Sequence, residues 1–391
     1  MSSRTLPVSV NPRVMKWARE SAGVSLEAVA ARVGTSVETA ARWESESAGR
    51  QPTLRALENL ATFFKRPLAT FFLPEPTEEP PPPADFRVLP GQESASLSPR
   101  TRLAIREARR LRNLAIELMA QVEGEVEVKL GKTRLHAHPE AVAQEERERI
   151  GVTLEEQFGW RNPYAALNGW MRALERLKVL VFQMRMPVGE ARGFSIGDGS
   201  LPAIVVNASD AVRARIFTLF HEYAHLLLGT EGVCRPEECP VSGGHDVERF
   251  CNHFAGALLV PKEALMSVLP GASVAPSSEV TDEELEHVAA RFKTSRQVIW
   301  RRMRLADLVS ARKYQGKLKA WEEETPVKRK RSGFAVAPAK RCVRERGRLF
   351  TSLVLEAKER DLITYSDVAD YLSLRLKHLP KLHTLLEKAN G

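Results

Sequence analysis

Residues 217–230 read FTLFHEYAHLLLGT. Within this stretch His221, Glu222 and His225 form an H-E-x-x-H string inside a helical pattern of apolar residues. Two histidines at i and i+4 lie about one turn apart on one helix face, so both imidazoles can grip a single tetrahedral zinc ion. Glu222 follows the first histidine and is placed to act as general base on a water, later passing the proton to a leaving amine. Phe217, Leu219 and Phe220 before the string, and Leu226, Leu227 and Leu228 after it, predict a buried helix. Unpaired polar groups are costly there, so two histidines and a glutamate together call for a metal.

A catalytic zinc needs a third ligand and keeps one position open. Residues 246–261, DVERFCNHFAGALLVP, read as a second helix on which Glu248, Cys251, Asn252 and Ala255 share a face. Glu248 lies 23 residues after His225, room enough for a loop that folds this helix under the first. A His2Glu set is a catalytic zinc arrangement, which makes Glu248 the expected third ligand of one Zn2+. Cys251 is the rival, either as ligand or redox-sensitive neighbour, and otherwise a small buried hydrophobe. His245 and His253 are either oxyanion stabilisers or surface residues. Cys234 and Cys239 (CRPEECP) form a C-x4-C pair between the two helices, readable as a second metal site or a redox switch, with no second pair nearby.

The remaining chain bounds the architecture. At 391 residues it exceeds one ordinary core. Hydrophobic content of 43% and charged content of 27% fit a soluble globular protein. No apolar run suits a membrane span, the N-terminus lacks an apolar signal region, and four cysteines do not make a disulfide framework. The cytoplasm is the expected location, with no membrane partner. The net charge is +9, and residues 328–391 hold 15 Lys+Arg against 7 Asp+Glu. That basic segment either attracts an acidic partner or is a solvated tail.

Proline-dense residues 73–90 and the stretch 325–339 read as linkers. Five short helices are expected over 11–72, the third running from Thr35 or Ser36 to about Glu46. A long arginine-rich helix is expected from Pro99 to about Glu123, and another over Asn162–Lys178. Strands are expected at Val179–Gln183 and Ala203–Val206, with a turn around Gly193–Ser195. Helices follow at about 213–228, 246–259, 282–292, 295–309, 347–358 and 365–372. The last two have a helix-turn-helix flavour, or form a partner-binding appendage.

From about Asn162 to Val309 the chain resembles the ImmA/IrrE family of bacterial and phage metallopeptidases. The matching blocks are GWMRALERLKVLVFQ, LPAIVVN, RARIFTLFHEYAHLLL and VERFCNHFAGALLVP, in that order. The resemblance implies zinc on His221, His225 and Glu248, Glu222 as general base, and a small gluzincin-like α+β fold. It also implies that strand Ala203–Val206 lines the cleft and pairs with an extended substrate. Members of the family are similar to regulators that cut a repressor under stress or DNA damage, and some belong to toxin–antitoxin-like modules. Residues 282–309 look like the helix-turn-helix that often follows this core. Arg296, Arg301, Arg302 and Arg304 on its second helix would be DNA contacts or a solvated basic face.

Residues 11–72 resemble XRE (Cro/repressor-type) helix-turn-helix domains, through WARESAGVSLEAVAARVGTSVETAARWESE and QPTLRALENLATFF. Ala28, Val29, Ala30, Val33, Ala40, Trp43, Leu57 and Leu60 suit its small core. The third helix would enter the major groove, with Thr35, Ser36, Thr39 and Arg42 as DNA contacts. It also carries Glu38, Glu44 and Glu46, and residues 11–75 hold 9 Lys+Arg against 7 Asp+Glu. Such a domain binds weakly alone, so homodimerisation or help from the basic C-terminus is expected, unless the fold serves protein contact.

The expected fold is therefore multidomain and mainly α. It combines an all-α helix-turn-helix domain (8–75), a Pro-rich linker (76–98), an α+β zincin-like metallopeptidase core with a small sheet (99–280), a helix-turn-helix-like segment (281–325) and a basic helical C-terminal appendage (340–391). The expected function is a transcription regulator that binds a double-stranded DNA operator. Its zinc endopeptidase would cut a repressor or the chain itself, in a stress response or toxin–antitoxin-like module. The alternative is an antitoxin or adaptor that binds a co-encoded toxin and keeps a structural zinc. A housekeeping peptidase fits poorly with a fused DNA-binding domain.

Overall fold

The computed structural model describes residues 6–46, 51–79, 97–124, 128, 130–197, 201–229, 233–234, 246–269, 280–323 and 336–387. Most of both expected linkers, and Cys239 and His245, lie outside the described residues.

Four helices and a 3-10 turn form the N-terminal module: α1 (Pro12–Ser21), α2 (Leu26–Val33), α3 (Val37–Trp43), α4 (Leu54–Phe64) and Leu68–Phe72. Each helix starts on a side-chain cap. Asn11, Ser25, Ser36 and Thr53 accept from the backbone N–H groups of Arg13, Ala28, Thr39 and Ala56. Gly34, at φ 72°, closes α2 and turns the chain into α3. Met15, Ala18, Val29, Ala30, Trp43, Leu57, Leu60, Phe64 and Phe71 share one core. Two expectations shift here. Ala28 faces solvent, and α3 ends at Trp43 because Glu44 turns back to pair with Arg19 of α1 at 2.7 Å.

The long helix α5 (Pro99–Val122) seats this module on the rest of the chain. Leu103 packs against its core, and Arg106 donates to the Phe64 carbonyl at 2.7 Å. After α6 (Pro139–Ile150), α7 (Leu154–Gly159) and α8 (Pro163–Arg176) come β1 (Leu180–Met184), β2 (Gly193–Ile196) and β3 (Ala203–Asn207). Then follow α9 (Val212–Leu228), β4 (Val233–Cys234), α10 (Asp246–Leu259) and α11 (Lys262–Val268). The sheet order is β1-β3-β2-β4, with β3 parallel to β1 and antiparallel to β2.

This order corrects two expectations. Gly193–Ser195 is strand, not turn: it pairs with Ile204–Val206. And β3 has both edges filled by β1 and β2, so it has no free backbone to offer an extended substrate.

The strands read as continuous apolar runs because both faces of the sheet are covered. Val181, Ile204 and Val206 face α8, α9 and α10. Leu180, Phe182, Phe194, Ala203 and Val205 alternate with them and face the other way. That second face is covered by α5 and by the C-terminal helices α15 (Pro338–Arg346), α16 (Arg348–Glu359), α17 (Tyr365–Tyr371) and α18 (Leu379–Glu387). Phe350 meets Phe182 edge-on at 5.8 Å.

Gly347 is the tight point of this docking. Its φ is +75°, and a Cβ there would lie 2.6 Å from the Val181 carbonyl oxygen and against the Glu175 carboxylate. Gly347→Ala is expected to cost roughly 2–3 kcal/mol, read as a lowered denaturation midpoint.

On the first face, α12 (Asp282–Phe292) and α13 (Arg296–Leu305) join the core of α9 and α10, followed by α14 (Ala311–Glu323). Arg296, Arg302 and Arg304 of α13 are engaged within the fold. Arg302 is 1% exposed, donates to the Val260 carbonyl at 2.8 Å and clamps Glu140 of α6. Arg296 pairs with Asp282 at 3.2 Å and stacks on Trp321, and Arg304 pairs with Asp307.

Candidate metal centre

Helix α9 is buried along most of its length, polar residues included, and α10 packs against it. Gly229, at φ 66°, ends α9. This packing brings His221, His225 and Glu248 into one buried cluster, each no more than 1% exposed. The two Nε2 atoms stand 3.2 Å apart. Glu248 Oε2 is 3.4 Å from His221 Nε2, and Oε1 is 3.3 Å from His225 Nε2.

That spacing has a chemical meaning. Donor atoms at about 2.05 Å from a tetrahedral ion stand about 3.3 Å from one another, whereas charge-assisted hydrogen bonds close to about 2.8 Å. Two imidazole nitrogens 3.2 Å apart, each with a Glu248 oxygen at 3.3–3.4 Å, are spaced as ligands of a divalent ion are. Burial raises the Glu248 carboxyl, and the two histidines more than offset it, holding it well below the usual carboxylate range. Glu248 therefore stays anionic, as a ligand must.

Asn252, one turn after Glu248 on α10, lies with Oδ1 3.2 Å from His221 Nδ1. With Nδ1–H donating to this oxygen, Nε2 keeps its lone pair toward His225 and Glu248. The sequence places Asn252 on the right face but gives it no task; its spacing of four from Glu248 is the signal that could have done so. Asn252→Ala is expected to lower metal affinity about 10- to 100-fold, measured by chelator competition.

Glu222 is wholly buried beside the cluster. Gly193 of β2 runs against this part of α9. A Cβ there would fall 2.6 Å from Thr218 Cγ2 and 3.5 Å from Glu222 Cγ. A glycine read as turn punctuation is thus a point of close approach between sheet and metal helix.

Residues 174–304 match the family model of the IrrE N-terminal-like domain, and residues 15–71 match the helix-turn-helix model. The chain joins an XRE-type helix-turn-helix module to an IrrE-like peptidase-family domain. No curated protein and no solved structure matches it at significance. Helix α5 and the C-terminal helices lie outside both matched ranges, yet they supply the second cover of the IrrE-like sheet.

Within the IrrE-like domain Cys251 points into the apolar core and takes no part in the ligand cluster. His253 does not face the cluster either: its Nε2 is 2.7 Å from Glu140 Oε1, in the Arg302 clamp. In the helix-turn-helix module, Ser36, Thr39 and Arg42 fall on or near the outer face of α3, and Thr35 precedes it. Ser36 caps α3 and also donates to Thr39 Oγ1 at 2.9 Å. Glu38 of this helix pairs with Arg42, and the acids just after it pair with α1, Glu44 with Arg19 and Glu46 with Arg13. Glu44 is therefore withdrawn from the outer face.

Proposed function

We propose that this DNA-binding regulator is a zinc-dependent endopeptidase that hydrolyses a peptide bond in a regulatory protein, either a repressor or this chain, within a stress-response or toxin–antitoxin-like module. The observation that carries the reading is the buried cluster of His221, His225 and Glu248, with each imidazole Nε2 close to the other and to a Glu248 oxygen, and Glu222 adjacent in sequence and buried.

His221 Nε2, His225 Nε2 and one Glu248 oxygen would hold the ion, and Asn252 would fix the His221 ring. Zinc held there supplies Lewis acidity, which polarises a peptide carbonyl and lowers the pKa of water toward 7. Glu222 then does the proton work. One carboxylate oxygen accepts a proton from the attacking water and returns it to the amide nitrogen as the C–N bond breaks. The buried surroundings exclude bulk water and strengthen each electrostatic contact made during the step.

For DNA, α2 would cross the backbone and α3 would lie in the major groove, with Thr35, Ser36, Thr39 and Arg42 as contacts to an operator. Glu44 turns away to Arg19 of α1, and a homodimer would double the phosphate contacts.

The test incubates the zinc-loaded full chain with the product of the adjacent reading frame and, separately, with the chain alone. Defined fragments are expected from the wild type and absent with chelator or Glu222→Gln. If Glu222→Gln regulates and neutralises a co-encoded toxin normally, the zinc is structural and the chain acts as an adaptor.

A further inference from the structure

Away from the metal centre, α8, β1 and the start of α9 face the C-terminal helices across a cavity of about 320 Å³. Its lining is strongly cationic. Arg172 comes from α8, Arg215 from α9, and Lys340, Arg344 and Arg348 from α15 and α16. The lining includes one carboxyl, Glu175, and it is already engaged, accepting from the Leu349 N–H at 3.2 Å where α16 begins. Burial pushes Glu175 up to about 7, so near neutral pH it offsets only part of the positive charge.

Arg215 is the deepest of the five, at 8% exposure. It donates to uncharged groups, Gln183 Oε1 and the Asp210 carbonyl, both at 3.0 Å. Cations converge on one another across the gap. Burial lowers the Arg215 guanidinium from its ordinary value and the charge of Arg344 adds to this, although Tyr164 and Asp210 act the other way. Burial likewise lowers Arg348, with Arg172 adding to it and Glu175 opposing. Like charges gathered in a half-buried space are costly until an anion joins them. The rest of the wall is apolar, with Leu167, Met171, Val343 and Leu385, and Tyr164 stands 56% exposed at the rim. Cationic depth, apolar wall and an aromatic rim suit a ligand with an anionic end and a flat end. The cavity volume is in the range of small-molecule sites.

We propose that this cavity binds a small phosphorylated ligand of nucleotide size, its phosphates between Arg215, Arg344 and Arg348 and its flat end toward Tyr164 and Met171. Such a ligand would bridge α9, six residues before His221, to the C-terminal helices, and so fix how that segment sits on the IrrE-like domain.

The test is calorimetric titration of the full chain with ADP, pyrophosphate and adenosine at low and moderate salt. ADP is expected to bind once per chain and to weaken with salt, pyrophosphate to bind more weakly, and adenosine not to bind. Arg172→Glu, and separately the pair Lys340→Glu and Arg344→Glu, change opposite walls. Each is expected to weaken ADP about tenfold or more with an unchanged melting curve. Absence of binding by both ADP and pyrophosphate overturns the proposal. So does adenosine equal to ADP, or ADP binding that neither variant alters. Displacement of ADP by a short duplex of arbitrary sequence, with duplex affinity lost in the same variants, would make the cavity a DNA-backbone site instead.

Discussion

Glu222→Gln is expected to bind one zinc ion as tightly as the wild type and to cut its protein substrate at least 10²- to 10⁴-fold more slowly. The substitution keeps the volume of a wholly buried side chain, so the fold should tolerate it. It removes the one property the proposed mechanism requires, a carboxylate that can take a proton from water and release it to the leaving nitrogen. The amide cannot accept and return that proton. A loss confined to kcat, with melting temperature and metal content unchanged, is the expected signature. A parallel loss of metal would mean that Glu222 shapes the ion's surroundings rather than carrying the proton.

Glu248→Ala is expected to produce the second large effect, a fall in zinc affinity of roughly a thousand-fold or more. Glu248 contributes the oxygen donor of the cluster from α10, so its loss leaves two imidazoles on one helix and no donor from the other. The two helices would also lose the metal as their cross-link. Zinc should therefore raise the melting temperature of the wild type and leave that of Glu248→Ala almost unmoved, because only binding to the folded state stabilises it. Chelator competition and thermal melts with and without zinc check both parts.

How far the sequence carries the structure depends on where each signal resides. Helices α9 and α10 were legible because their apolar periodicity, their ligand spacing and the Gly229 stop agree. The N-terminal module was legible through its caps at Ser25, Ser36 and Thr53. Strand β2 was not, because its four residues begin with a glycine that looks like a turn, and the reason for that glycine is contact with α9. Helices α6 and α15 are charge-dense, as in EERER and RCVRER, and their burial comes from partners distant in the chain. Arg302 shows the same limit most clearly. It reads as one of several exposed arginines, and only the fold reveals Glu140, 162 residues away, closing over it. Among the site residues, the two histidines and Glu248 follow from motif and spacing. Asn252 needed the packing of two helices, and the basic cavity needed the return of the C-terminal helices to α8 and α9.

X-ray absorption at the zinc edge of the loaded full chain reads the ligands of the ion itself. The expected result is a first shell of two imidazole nitrogens and one carboxylate oxygen, completed by a light-atom ligand, all at about 2.0–2.1 Å, with imidazole scattering reduced in His225→Ala. A sulfur shell near about 2.3 Å would contradict it and move the metal to the cysteines.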